Sequence, residues 1–85
     1  MSRVTDNTEV GRFELAEGDE IVFADYHRDG DVLRILYVYA PPVLRNTGAA
    51  GRLMEGIMAI AKVERRKVDP VCGYAAAWLE RHFAP

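Results

Sequence analysis

The chain has one cysteine, Cys72, two histidines, and no apolar run near the ~20 residues that a membrane-spanning helix needs. A lone cysteine excludes an internal disulfide and, with so few histidines, a structural zinc set. It fits a reducing, cytoplasmic compartment. The opening MSRVTDNTEV has no apolar core of the kind a signal peptide requires. No Gly-Lys-Ser/Thr follows a glycine cluster, which excludes a P-loop, and no dinucleotide-binding fingerprint is present. The net charge of −2 lacks the basic excess of a general nucleic-acid binder. The 85 residues make one domain, 1–85, with Met1 to Glu9 expected to be poorly ordered. So small a core, without metal or disulfide staples, predicts a monomer of modest stability or a weak homodimer.

The modest net charge hides an asymmetry. Residues 1–42 carry nine acids and four bases, and residues 43–85 carry four acids and seven bases. An anionic ligand is therefore expected on the C-terminal half.

The first half reads as strands. Gly11 to Ala16 is followed by the turn Glu17-Gly18-Asp19, then by the β-prone run Ile21 to Tyr26. Asp29-Gly30 marks a hairpin into Val32 to Tyr39, a long β-branched and aromatic strand that Pro41-Pro42 ends. From Gly48 the period changes: Ala50, Leu53, Met54, Ile57 and Ala61 form the stripe of an amphipathic helix. Lys67 to Cys72 is a short strand and Gly73 to His82 an alanine-rich helix. The order is β-β-β-α-β-α, an α/β mixed sheet. Within it, Val32 to Tyr39, the long helix and Lys67 to Cys72 make one parallel, right-handed crossover unit.

The junction that opens the long helix, Leu44 to Met54, carries no acid in its first turns and two arginines, Arg45 and Arg52. Helix starts expose unpaired N–H groups and partial positive charge, which acids normally complement. Gly48, Ala49, Ala50 and Gly51 instead leave the backbone open to an approaching anion, such as a phosphate or diphosphate. The competing reading is a helix capped by Asn46 or Thr47, with glycines that serve packing alone.

Arg45-Asn46-Thr47-Gly48-Ala49-Ala50 fits Gln/Arg-x-x-Gly-x-Gly/Ala, and Pro41-Pro42, Pro70-Val71-Cys72-Gly73-Tyr74 and Arg81-His82 follow in order around it. This set resembles the GNAT superfamily of acetyl-CoA-dependent N-acetyltransferases, in its very short single-domain branch with a Pro-x-Cys motif. The resemblance spans roughly residues 20–83. It implies a fold that parts two parallel strands in a V to admit the cofactor. Acetyl-CoA would then lie with its diphosphate on Asn46, Thr47, Gly48, Ala49 and Ala50, flanked by Arg45 and assisted by Arg52. The acceptor would be an amine, either a protein lysine or a small molecule, with no nucleic-acid or membrane partner.

Cys72, at a strand-to-helix junction, is a candidate acyl carrier or pocket lining, against the reading of a small buried hydrophobe. Tyr37 stands where this branch often carries a histidine on the central strand, and with Cys72 it is the candidate catalytic pair. Tyr37, Tyr39 or Tyr74 can protonate a departing thiolate or orient an amine, and cross-strand packing is the alternative for each. The tyrosine at position 37, with Asn46-Thr47 in the loop, also supports an alternative function: a catalytically impaired CoA- or acyl-CoA-binding module, or a plain interaction domain.

Overall fold

In a computed structural model, which describes residues 3–83, the chain forms a five-stranded sheet in the order β1-β2-β3-β4-β5. The strands are β1 Thr5–Asn7, β2 Arg12–Glu17, β3 Glu20–Asp29, β4 Val32–Tyr39 and β5 Lys67–Pro70. Pairing is antiparallel from β1 through β4 and parallel between β4 and β5. Helix α1, Ala49–Glu64, makes the crossover between the two parallel strands, and α2, Gly73–Phe83, follows β5. The expected mixed sheet and crossover unit are both present.

Strand periodicity explains the core. Phe13 and Leu15, Val22 and Ala24, and Leu33 and Ile35 alternate onto one sheet face, where all six are buried. Leu53, Met54, Ile57 and Ala61 of α1 and Ala75 and Trp78 of α2 close over them in the same apolar cluster. The helix stripe differs from expectation by one residue at its start. Ala49 is wholly buried, whereas Ala50 is only half-buried. The opposite sheet face carries Arg12, Phe23, Asp25, Tyr37 and Tyr39, with Phe23 and Tyr39 ring centroids 5.3 Å apart and the Arg12 guanidinium 3.9 Å from the Phe23 centroid.

The N-terminal stretch departs from its expected poor order, since Thr5–Asn7 pairs with Arg12–Glu14 as a fourth antiparallel strand. Met1 and Ser2 lie outside the described residues. The reason is long-range and invisible to local pattern. Arg28 on β3 donates to Asp6 at 2.8 Å, to Tyr26 at 3.0 Å and to both Glu64 oxygens at 2.7 and 2.9 Å. Tyr26 in turn donates to Asp6. One guanidinium thus ties β1, β3 and the end of α1 together. Arg28→Met should cost about 2 kcal/mol by stranding several charge-assisted bonds, a melting drop of roughly 10 °C. It should also speed amide exchange in Thr5–Asn7 selectively.

That network sets an acid limit. The Arg28 hydrogen bonds, reinforced by Arg66, hold the Glu64 carboxyl below its ordinary value of 4.5. The stabilisation is therefore complete above pH 4.5 and is lost as pH falls through the lowered folded value. Denaturant midpoints measured from pH 6 down to pH 3 should fall in the wild type and fall less in Arg28→Met.

Candidate functional site

Pairing between β4 and β5 covers only Val32↔Lys67 through Ile35↔Pro70, whereas β4 continues to Tyr39. Two local features end the pairing. Pro70 cannot donate to a ladder. In addition, β4 bulges: Asp25 pairs with Tyr37 but Tyr26 pairs with Ile35, which leaves Leu36 as the extra residue and bends the strand. The Ile35 carbonyl takes the N–H of both Val71 and Cys72 at 3.0 Å, and beyond it β4 runs on without β5 beside it. β5 accordingly stops at Pro70, two residues short of the predicted Cys72.

A cavity of about 420 Å³ lies beside the unpaired end of β4. One wall is the end of β4, Tyr37 through Tyr39, which includes residues of both sheet faces, with Ala40 just beyond it. The other walls are Leu44, Arg45 and Asn46 of the connecting loop, Gly48, Ala50 and Gly51 of the helix start, and Tyr74 of α2. Among the described residues, no carboxylate, histidine or thiol lines this cavity, and Arg45 is the one formal charge on its wall.

The backbone turns into α1 by an unusual route. After a 3-10 turn at Pro42–Leu44, Asn46 has φ 65° and Gly48 has φ 86°, both left-handed. Thr47 donates its hydroxyl proton to Leu44 O, and the same Oγ1 accepts a long 3.3 Å bond from the Ala49 N–H. The first helical bond is Arg52 N–H to Gly48 O. No side chain of the N-cap residue caps the helix and no acid lies in its first turn. Gly48, Ala50 and Gly51 N–H groups meet no acceptor among the described residues. Bare donors, a helix N-terminus and one guanidinium at a cavity mouth fit a diphosphate. Arg45 is held for this position, because its Nε donates to Ala40 O at 3.0 Å and its Cζ sits 5.9 Å from the Tyr39 centroid, which leaves the outer guanidinium nitrogens open.

The sequence-predicted site is therefore brought together in part. Arg45, Asn46, Gly48, Ala50 and Tyr37 line the cavity. Thr47 and Ala49 do not line it: Thr47 is spent on internal turn bonds and Ala49 is packed in the core. Arg52 does not reach it either. Its guanidinium is turned to Glu17 at the end of β2, 2.6 and 3.3 Å away, and to Thr47 O at 3.2 Å. That contact holds the Glu17 carboxyl below its ordinary value. Cys72 is half-buried against the core at the start of α2, outside the cavity wall, with its carbonyl accepting from Ala76. Gly51 and Tyr74, both singled out in the sequence, line the cavity as well. Gly51 joins the helix start, and a Cβ there would lie 3.4 Å from Trp78 Nε1, so its smallness also lets α2 approach. Tyr74 lines the same cavity as Tyr37 and Tyr39, as its place after Cys72 led one to expect. Burial raises the Tyr74 phenol above its ordinary value, so it stays protonated at neutral pH. His82 is structural: its ring stacks on Trp78 at 4.1 Å and its Nδ1 meets Trp78 O at 2.8 Å.

A five-stranded mixed sheet with one parallel pair, a crossover helix and an uncapped helix start beside the free end of β4 is compatible with a GNAT-like fold. The profile of the GCN5-related N-acetyl-transferase family matches residues 12–84, nearly the whole chain, and the protein belongs to that family. Membership carries a general acetyltransferase role. No curated protein matches the chain. No described helix is long and apolar enough to cross a membrane.

Proposed function

We propose that the protein transfers an acetyl group from acetyl-CoA to a primary amine by direct attack, in the cytoplasm. The observation that carries this reading is the cavity between the free end of β4, the start of α1 and Tyr74 of α2, which runs from the bare N–H groups of Gly48, Ala50 and Gly51 to the phenols of Tyr37 and Tyr74. Bound acetyl-CoA supplies an activated thioester, and the chain supplies placement. The loop and Arg45 hold the diphosphate. Val38, Ala40 and Leu44 line the gap as an apolar wall for the pantetheine arm. The amine approaches past Tyr37 and Tyr39 from the open sheet face. Its nitrogen bonds to the acetyl carbon as the carbon–sulfur bond breaks, the sulfur leaves as thiolate and the nitrogen loses its proton to water. Tyr37, Tyr39 and Tyr74 are the phenols on the cavity wall able to meet that thiolate.

Calorimetric titration with CoA tests the cofactor half of this reading, and acetylation of an amine panel tests the transfer half. Arg45→Ala should weaken CoA about tenfold, the effect of one charge-assisted contact, and should flatten the salt dependence of binding. The absence of carboxylate and histidine from the cavity, among the described residues, favours a second reading, a CoA-binding module without turnover. CoA binding without acetylation of any amine up to pH 9 would select that one.

A further inference from the structure

Arg52 is misplaced for a diphosphate ligand and well placed for another task. Its Nη2 and Nε reach across to the Glu17 carboxylate on β2, at 2.6 and 3.3 Å, while Nη1 takes Thr47 O at 3.2 Å. The same Nη1 lies 3.0 Å from where a Cβ on Gly48 would be, so the guanidinium is packed against the left-handed turn itself. Glu17 is one of the less exposed carboxylates, its side chain 15% accessible, and it ends a strand fixed by six paired residues on β3. The loop Arg45 to Gly48 otherwise rests on two turn bonds to Pro42 and Leu44, the Thr47 hydroxyl to Leu44 and Ala49, Arg45 to Ala40, and the Arg52 N–H on Gly48 O. Thr47 O has no helical N–H acceptor role among the described residues, and Arg52 is the side chain that holds it.

We propose that Glu17 and Arg52 act together as a positioning brace, which fixes the Thr47-Gly48 peptide so that the N–H groups of Gly48, Ala50 and Gly51 converge on the anion. A residue on the far end of β2, outside the cavity, thereby sets cofactor affinity. The proposal rests on the CoA reading above, but its structural half does not. A planar fork that spans a carboxylate and a carbonyl at once is a task for arginine, because an ammonium makes no such fixed pair of contacts.

The test turns on a sign. If Arg52 were a direct phosphate ligand, Glu17→Gln would release it toward the diphosphate and CoA would bind as tightly or more tightly. The brace predicts the reverse: Glu17→Gln weakens CoA about two- to fivefold, as loss of a partly exposed ion pair allows. Arg52→Gln should weaken it similarly, and the double variant no more than either alone, since the two residues act as one unit. Arg52→Lys should restore little. Melting temperatures of all four variants should stay within a few degrees of the parent, which separates placement from global loss of stability. Amide exchange in the free protein supplies the readout independent of CoA. Exchange should quicken at the hydrogen-bonded amides of Thr47, Ala49 and Arg52 in Glu17→Gln and stay unchanged in β4. If the parent fails to bind CoA, the functional reading falls while the exchange result still decides the brace. Unchanged exchange, or tighter CoA binding in Glu17→Gln, would overturn the brace.

Discussion

Gly48→Val is expected to abolish measurable CoA binding, with affinity falling about 100-fold or more. Gly48 sits at φ 86°, where a β-branched residue is strained, and its new Cβ would press on Arg52 Nη1 from 3.0 Å. Two outcomes are available to the loop, and both harm the site. It can keep the left-handed turn, with the valine side chain pushing the Arg52 guanidinium off Thr47 O and loosening the turn. It can instead turn over to negative φ, which carries the Gly48 N–H away from those of Ala50 and Gly51. Loss of two charge-assisted bonds at about 1.5 kcal/mol each already amounts to about 100-fold. The fold should survive, because Gly48 precedes the buried face of α1 rather than packing in it. Gly48→Ala isolates the strain from the bulk and should fall between parent and valine. Calorimetry with CoA, paired with circular dichroism to verify the helix, reads both. Parent-like affinity in Gly48→Val would make the loop a packing device and remove the cofactor site from it.

The reasons these features were legible in the sequence differ from one to the next. Strand β4 and helix α1 were readable because each buries one face, so period 2 and period 3.6 are written directly into Leu33-Ile35 and Leu53-Met54-Ile57-Ala61. The absence of acid at the helix start was equally local, and it located the loop that lines the cavity. β1 was not legible. Three residues of polar sequence have no period of their own, and they are held by Arg28 from 22 positions away. The role of Arg52 was hidden for the same reason. Spacing puts an arginine one turn into the helix, beside the loop, but only the tertiary path of β2 brings Glu17 to claim it. The bulge at Leu36 lies between ordinary strand residues, so the point at which the sheet opens could be inferred only from Pro70 on the other side of the gap.

Transfer should accelerate about tenfold per pH unit from pH 6 to pH 9, a change of about 1,000-fold with no plateau near 7. A lysine-type amine has a pKa near 10.4, so across this range its reactive neutral fraction rises by about that factor per unit. An enzyme escapes that slope by placing a base of matched pKa beside the amine, and no carboxylate or imidazole lines this cavity among the described residues. Proton removal is left to water, and the slope belongs to the substrate. The protein itself is steady over the same interval. The Glu17 and Glu64 carboxyls, lowered by their arginine partners, remain ionised throughout, so the rise does not report unfolding. Tyr74, raised by burial, keeps its proton across the range and can still donate to the departing sulfur. Tyr74→Phe should therefore lower the rate about 100-fold at every pH without altering the slope, and should leave CoA affinity unchanged. Cys72→Ala should change the rate less than threefold, because the thiol sits against the core rather than on the cavity wall, and its removal leaves a direct attack intact. Stopped-time assays with one amine at fixed ionic strength measure all three slopes. A plateau at pH 7 would reveal a base supplied from outside the cavity wall. An added acetyl mass on the denatured wild type, absent from Cys72→Ala, would replace direct attack by a two-step path through the thiol.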